Sequence, residues 1–305
     1  MKTSVLTVFL VVLITATGFS QTAANRGSIG EKSRVKIGLN FFSFDNPIKN
    51  GEMDIFDVIK YVSSIDMECV DITGYYFPTY PEVPSDEYIY EVKRCAFRNA
   101  IDISGTGVRN DFTKPDITER QKEIQLVKDW IVVGAKLGAS TIRIFSGPRI
   151  PNGYTWDEVA KWIADATDEC AEFGKQYGVM VAMQNHDDFL KTADEVNKFL
   201  SLCKSDNVGL MLDIGCFRTD PYTEIEKVIH HAITWQIKET VFINRVETKT
   251  DVKKIMEIIQ RNKYCGYLPI EILGRGNEKE RLKSFFDELK SEIKNNMDVI
   301  LNDAM

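Results

Sequence analysis

The chain has 305 residues, 44% hydrophobic and 27% charged, an ordinary globular composition with ample material for a large core. Lys and Arg total 38 against 45 Asp and Glu, a net charge of −7, and with no basic tract anywhere a nucleic-acid partner is excluded. Apolar residues recur evenly along the chain, which excludes a disordered protein as well.

The N-terminus reads as a signal peptide. Lys2 is followed by Val5–Ala16 (VLTVFLVVLITA), an apolar run of 12 residues, too short to span a bilayer. Gly18 and Ser20 put small residues at −3 and −1 of a cut before Gln21. Losing residues 1–20 removes one Lys and no acid, so the mature charge becomes −8. No cysteine lies near the cut, so no stable membrane anchor is expected, and the expected location is exported, in the periplasm. Residues 21–34 read as a polar arm and 35–305 as one domain. The six cysteines show no CxxC and no regular spacing, and no pairing is indicated. Cys69 and Cys203 read as small core residues.

From Val35 onward the pattern alternates. VKIGLNFF (35–42) suits a buried strand, and Asp54–Ser64 carries apolar residues at Ile55, Val58, Ile59 and Val62, one helical face. Strands follow at 68–73, 101–107, 140–147, 178–185, 208–215, 233–239 and 266–273. Each is followed by a helix: 86–100, 116–137, 156–177, 192–203, 221–232, 251–262 and 278–294. Gly138 and Gly178 suit helix C-caps leading into strands. Eight strand–helix units over about 260 residues predict a parallel sheet closed as a (β/α)8 barrel.

In such a barrel, chemistry belongs at the C-terminal strand ends. Strand five ends in Gln184-Asn185-His186-Asp187-Asp188 and strand six in Asp213-Ile214-Gly215. Strand seven carries Gln236 and Lys238, and strand eight ends at Glu271. Alternation puts Gln184 with His186 and Gln236 with Lys238 on common faces. A carboxylate such as Asp213 can simply cap a helix, and His230 and His231, late in a helix, read as structural. Polar groups converging at four adjacent strand ends instead predict a pocket.

Four stretches carry a family resemblance: VAMQNHDDFLKTADEV (181–196), VGLMLDIGCF (208–217), WQIKE (235–239) and GYLPIEIL (266–273). They resemble the xylose isomerase-like TIM-barrel family of the sugar phosphate isomerase/epimerase type, which also includes barrel-type apurinic endonucleases. The resemblance covers essentially the whole mature chain. It implies a divalent-metal site built from a strand-five Glu, a strand-six Asp, a strand-seven His and a strand-eight Glu. Asp213 and Glu271 match. Gln184 stands where the family has Glu, and Gln236 where it has His. The metal-site candidates are therefore Gln184, Asp213, Gln236 and Glu271. Two neutral amides bring no charge, so the expected ion is an oxygen-liganded Mg, Mn or Ca, weakly held or absent. With only three His and no basic groove, the endonuclease branch fits worst.

The resemblance implies abstraction of a proton alpha to a carbonyl of a small carbohydrate. Glu271 is the expected base. Gln184 cannot be a second one, so His186 or Lys238 has to serve, and the Lys238 ammonium can stand in for the missing cation at a developing oxyanion. Asn110, Arg143, Asn185 and Arg218 are the expected substrate contacts, Arg suiting a phosphate or sugar carboxylate. Tyr75, Tyr76 and Phe77, with Phe41 and Phe42, are candidates for stacking on a sugar face. The favoured reading is an exported sugar isomerase or epimerase, and a homo-oligomer is compatible with it. Its rivals are a keto-glycoside lyase using one base for β-elimination, and a sugar-binding barrel without catalysis.

Overall fold

The computed structural model describes residues 34–186, 188–274 and 276–303. The leader at 1–20, and all of the polar arm but its last residue, lie outside the described residues. The elements run β1 (Arg34–Asn40), α1 (Asp45–Lys49), α2 (Ile55–Ser64), β2 (Cys69–Thr73), α3 (Asp86–Arg98), β3 (Asp102–Gly107), α4 (Ile117–Leu137), β4 (Thr141–Ile144), α5 (Trp156–Lys175) and β5 (Met180–Gln184). They continue with α6 (Ala193–Leu202), β6 (Val208–Asp213), α7 (Pro221–Val228), β7 (Ala232–Lys238), β8 (Thr240–Ile243), β9 (Val246–Lys249), α8 (Val252–Arg261), β10 (Cys265–Glu271) and α9 (Glu278–Asp303).

Eight strands close into a barrel in the order β1-β10-β7-β6-β5-β4-β3-β2, every neighbouring pair parallel. This is the (β/α)8 architecture that the alternating pattern predicts. Local chemistry starts and stops the helices that ring it. Asp54, Thr155 and Thr192 each close a capping box at the start of α2, α5 and α6. Gly138 ends α4 in the left-handed region at φ 88°, where glycine carries no Cβ penalty.

The helices hold to the sheet by apolar stripes. On α5, Val159, Ile163, Ala166, Cys170 and Gly174 are buried at three- and four-residue spacing. Each fully buried large apolar side chain contributes about 1.5–3 kcal/mol.

One element departs from the plain repeat. Between β7 and α8, β8 and β9 form an antiparallel hairpin outside the barrel. Its two turn residues, Asn244 and Arg245, sit at φ 50° and 66°, the geometry of the two-residue turn that matches strand twist. Its turn is pinned by Asn244 N donating to Thr219 O (2.8 Å) and Arg245 N to Arg218 O (2.6 Å). The hairpin therefore stands fixed beside the C-terminal mouth of the barrel.

Candidate active site

Strand register brings the predicted residues to one level. Asp213 pairs with Gln236 across β6 and β7, and Glu271 with Lys238 across β10 and β7. Gln184 is the last residue of β5. All five are buried.

At their centre is the Lys238 ammonium. Its Nζ lies 2.9 Å from Asp213 Oδ2 and 2.8 Å from Glu271 Oε2. Gln184 Nε2 donates to Asp213 Oδ2 (2.8 Å) and to Gln236 Oε1 (2.6 Å), and Gln236 Nε2 donates to Glu271 Oε1 (3.1 Å). Gly215 N donates to the remaining Asp213 oxygen at 2.9 Å. Gly215 is required for a second reason: a Cβ there would lie 2.6 Å from Lys238 Cδ, so the lysine stem passes where only glycine leaves room.

The electrostatics follow from this packing. Burial alone would push the Asp213 carboxyl up, but the Lys238 ammonium and hydrogen bonds from Lys238, Cys216 and Gly215 hold it below the usual carboxylate range. Burial would likewise lower Lys238. The charges of Asp213 and Glu271 outweigh that and hold the amine above its ordinary value, so it stays an ammonium.

The four expected metal ligands do come together, but they do not fit a divalent ion. Each Asp213 and Glu271 oxygen already faces an N–H donor, and an ammonium stands between the carboxylates. Of these four residues only Gln184 has a buried acceptor, Oε1, without a partner, a single neutral oxygen where a hard cation needs several. Among the described residues no group of three His, Cys, Asp or Glu could hold a metal ion. Gln184, Asp213, Gln236 and Glu271, expected as metal ligands, stand here as a network around Lys238, with both carboxylates and both amide nitrogens engaged in it.

Above this network lies a cavity of about 300 Å³ lined by Lys238, Glu271, Asp213 and the two glutamines, with His186, Arg143 and Arg218 on its walls. His186 Nδ1 lies 3.0 Å from Asp188 Oδ2, and its ring meets Phe145 edge-on at 5.3 Å. The Asp188 carboxylate beside it outweighs burial and raises the imidazole above its usual value. Arg143 is only 2% exposed. It donates to Val108 O (2.7 Å) and Tyr75 Oη (3.2 Å) and lies 4.2 Å from the centroid of Phe145. Gly107 makes room for it, since a Cβ there would come within 2.9 Å of Arg143 Nε. Arg218 stacks 4.0 Å above Phe242 of the hairpin. Of the aromatics considered, Phe42 and Tyr75 line the cavity, whereas Phe41, Tyr76 and Phe77 are buried in the core.

Two expected substrate contacts are placed elsewhere. Asn110 clips the backbone of Phe145, donating to its O at 2.7 Å and accepting from its N at 2.8 Å. Asn185 does the same for Asp213, at 2.9 and 2.8 Å. Neither lines the cavity. A short amide supplies one donor and one acceptor together, which is what an open backbone at a strand end needs. These two positions are corrected from substrate contacts to backbone clips that hold the loops of the site.

Residues away from the predicted strand ends also reach the site. Arg109 and, from the hairpin, Thr240, Phe242 and Glu247 also line the cavity. Asp71 of β2 is 2% exposed, with its Oδ2 lacking any partner. Burial pushes its carboxyl up to about 7, with Arg143 opposing and Glu271 reinforcing the rise. The signal was present in ECVDIT, where a charge sits inside an apolar strand.

The model of the xylose isomerase-like TIM barrel family matches residues 59–292. Solved structures are similar in fold. A D-psicose 3-epimerase of Clostridium cellulolyticum H10 is 18% identical with a TM-score of 0.70, covering 84% of this chain and 98% of that one. A 3-keto-D-glucoside 4-epimerase of E. coli is 12% identical with a TM-score of 0.66, covering 85% and 100%. A probable 3-DHS dehydratase of Bacillus anthracis is 13% identical with a TM-score of 0.67, covering 84% and 98%. No curated protein sequence matches the chain.

Proposed function

The chain belongs to the xylose isomerase-like TIM-barrel family, and from that membership we propose that it is an exported isomerase or epimerase of a small carbohydrate that works through Lys238. The carrying observation is the ammonium held 2.9 and 2.8 Å from two buried carboxylates at the floor of the cavity. Lys238 has three donors and two are engaged, leaving one for a substrate oxygen.

A sugar carbonyl on that donor has its developing oxyanion met by a fixed positive charge in a water-poor site. Glu271 takes the proton from the adjacent carbon, whose electrons move into the carbon–carbon bond as the carbonyl becomes an enediolate. His186, its imidazole raised by the Asp188 carboxylate, returns a proton to the carbon skeleton from its own side of the cavity. One proton is taken and one is given, and solvent resets the pair. In the reverse direction the two residues exchange roles. Arg143 and Arg218 line the walls and suit an anionic or hydroxyl-rich substrate.

One observation also suits a lyase. Gln184 is neutral where a second carboxylate would serve epimerisation, and β-elimination from a keto-glycoside needs a single base. The solved relatives named as epimerases and as a probable dehydratase span both reaction types. Export rests on the Val5–Ala16 run. No helix among the described residues is long and apolar enough to cross a membrane.

The test is product analysis on a panel of ketoses and 3-keto-glycosides. An epimer or isomer is expected, and Glu271→Gln is expected to abolish its formation. Release of an aglycone with an unsaturated sugar replaces this reading by the lyase. Sugar binding that Glu271→Gln leaves intact, with no turnover on any member, replaces it by a binding protein.

A further inference from the structure

A second cavity, of about 530 Å³, adjoins the first and shares Arg218 and Phe242 with it. The shared pair is a stacked one, the guanidinium 4.0 Å from the ring centroid, and it forms the sill between the two spaces. Lys191, Thr219, Glu224 and Arg245 are among the residues that complete the second wall. Besides the shared Arg218, the wall carries two cationic side chains, Lys191 and Arg245, and one acid. That acid is engaged: Glu224 accepts the N–H of Ala193. Glu195, nearby at the start of α6, accepts from the backbone N of Lys191 (2.7 Å) and of Thr192 (3.1 Å). The wall is also rigid, because the hairpin turn is bonded to Arg218 O and Thr219 O.

The turn itself adds an independent point. Arg245 occupies a left-handed position at φ 66°, where Gly or Asn is the ordinary choice. The backbone tolerates an unfavourable residue there, and the result is a guanidinium on the wall of this cavity.

We propose that the substrate has two units, a glycoside whose reacting sugar lies over Lys238 and whose second unit, carrying a carboxylate or sulfate-type oxyanion, lies across Phe242 in the adjoining cavity. The proposal rests on the reading of the Lys238 cavity as the seat of the reacting sugar. Phe242 offers an apolar face to a ring, and Arg245 with Lys191 offers the charge. The two cavities share the Arg218–Phe242 pair in their walls, and the proposed molecule lies across it. Binding energy gathered in the second cavity is then available to hold the reacting sugar in register over Lys238 and Glu271.

Equilibrium binding tests this without requiring turnover. The probes are 4-carboxyphenyl, 4-sulfophenyl and neutral 4-carbamoylphenyl β-D-glucosides, measured by calorimetry on the full mature chain. A charged probe is expected to bind about tenfold tighter than the neutral one at low salt, with the difference shrinking at high salt. Whichever anion binds tighter identifies the oxyanion. The ratio is expected to collapse towards unity in Lys191→Met combined with Arg245→Gly, the glycine being suited to the positive φ so that the turn is kept. Equal affinity for charged and neutral probes, a ratio that survives both substitutions, or failure of every probe to bind overturns the proposal. A charge preference accompanied by no turnover of any sugar overturns the catalytic reading and leaves this one standing.

Discussion

Lys238 is the residue on which the site depends, and its two ion pairs make its removal costly. Replacing it by Met leaves Asp213 and Glu271 as buried carboxylates without their cation. Breaking a buried pair in this way costs about 3–5 kcal/mol. The loss in Lys238→Met is expected to be larger at pH 8 than at pH 5, because protonation relieves the orphaned carboxylates, and Glu271→Gln on top of it should restore part of the stability. Urea unfolding at the two pH values reads this directly. Equal losses at both would mean that the orphaned carboxylates take up no protons between these pH values, and no loss at either that the pairs contribute nothing. Asp71 gives the opposite signature. Its carboxyl is raised from 3.8 to about 7 in the folded protein, so the folded state binds more protons than the unfolded state between those values. Its cost to stability is therefore absent at pH 3, grows as pH rises through that window, and is full above about pH 7. By the pKa difference it amounts to about 4 kcal/mol. Asp71→Asn is expected to be more stable than the parent at pH 8 and nearly equal to it at pH 4, as thermal unfolding will report. A variant less stable at pH 8 would show that Asp71 is needed as an anion beside Arg143.

At the scale of elements, the strand ends were legible and the connections were not. Apolar runs that stop abruptly at Gln184, Asp213 and Glu271 announce strands entering a polar pocket, because a buried strand has no structural use for a charge. Asn110 and Asn185 misled for a related reason. An Asn after a strand looks the same in sequence whether it meets a ligand or clips a backbone, and only the paired bonds at Phe145 and Asp213 decide it. Asn185→Ala is accordingly expected to cost about 1–3 kcal/mol by leaving the buried N–H of Asp213 unpaired. Denaturant unfolding checks this, and a neutral substitution would contradict the clip. The β8–β9 hairpin is not legible in the pattern, where residues 240–250 read as a connection between strand seven and its helix. Its short alternating strands flank an Asn-Arg turn, and the left-handed Arg245 is not a residue that turn chemistry singles out. Asp71 lies at mid-strand, away from the strand ends where a barrel of this kind places its chemistry.

For the whole molecule, periodicity was sufficient. Eight strands and their helices fall where the apolar patterns place them, and parallel closure follows from strict alternation. The resemblance named the metal-binding arrangement of the family, while the substitutions Gln184 and Gln236 indicated that this chain departs from it. What sequence could not supply was the position of the Lys238 ammonium among those groups, since register and side-chain direction are settled only by the closed barrel. On the proposed reading, proton abstraction is assisted by Lys238 and needs no divalent ion. The most direct measurement is deuterium uptake from D2O into a turned-over sugar, by NMR, with protein dialysed against a chelator and with Lys238→Met. One deuterium is expected at the carbon beside the carbonyl at an undiminished rate after dialysis, with a loss of at least about a hundredfold in Lys238→Met, in line with removal of one oxyanion donor. Exchange that stops on dialysis and returns with added Mg²⁺ or Mn²⁺, or that persists in Lys238→Met, would contradict it.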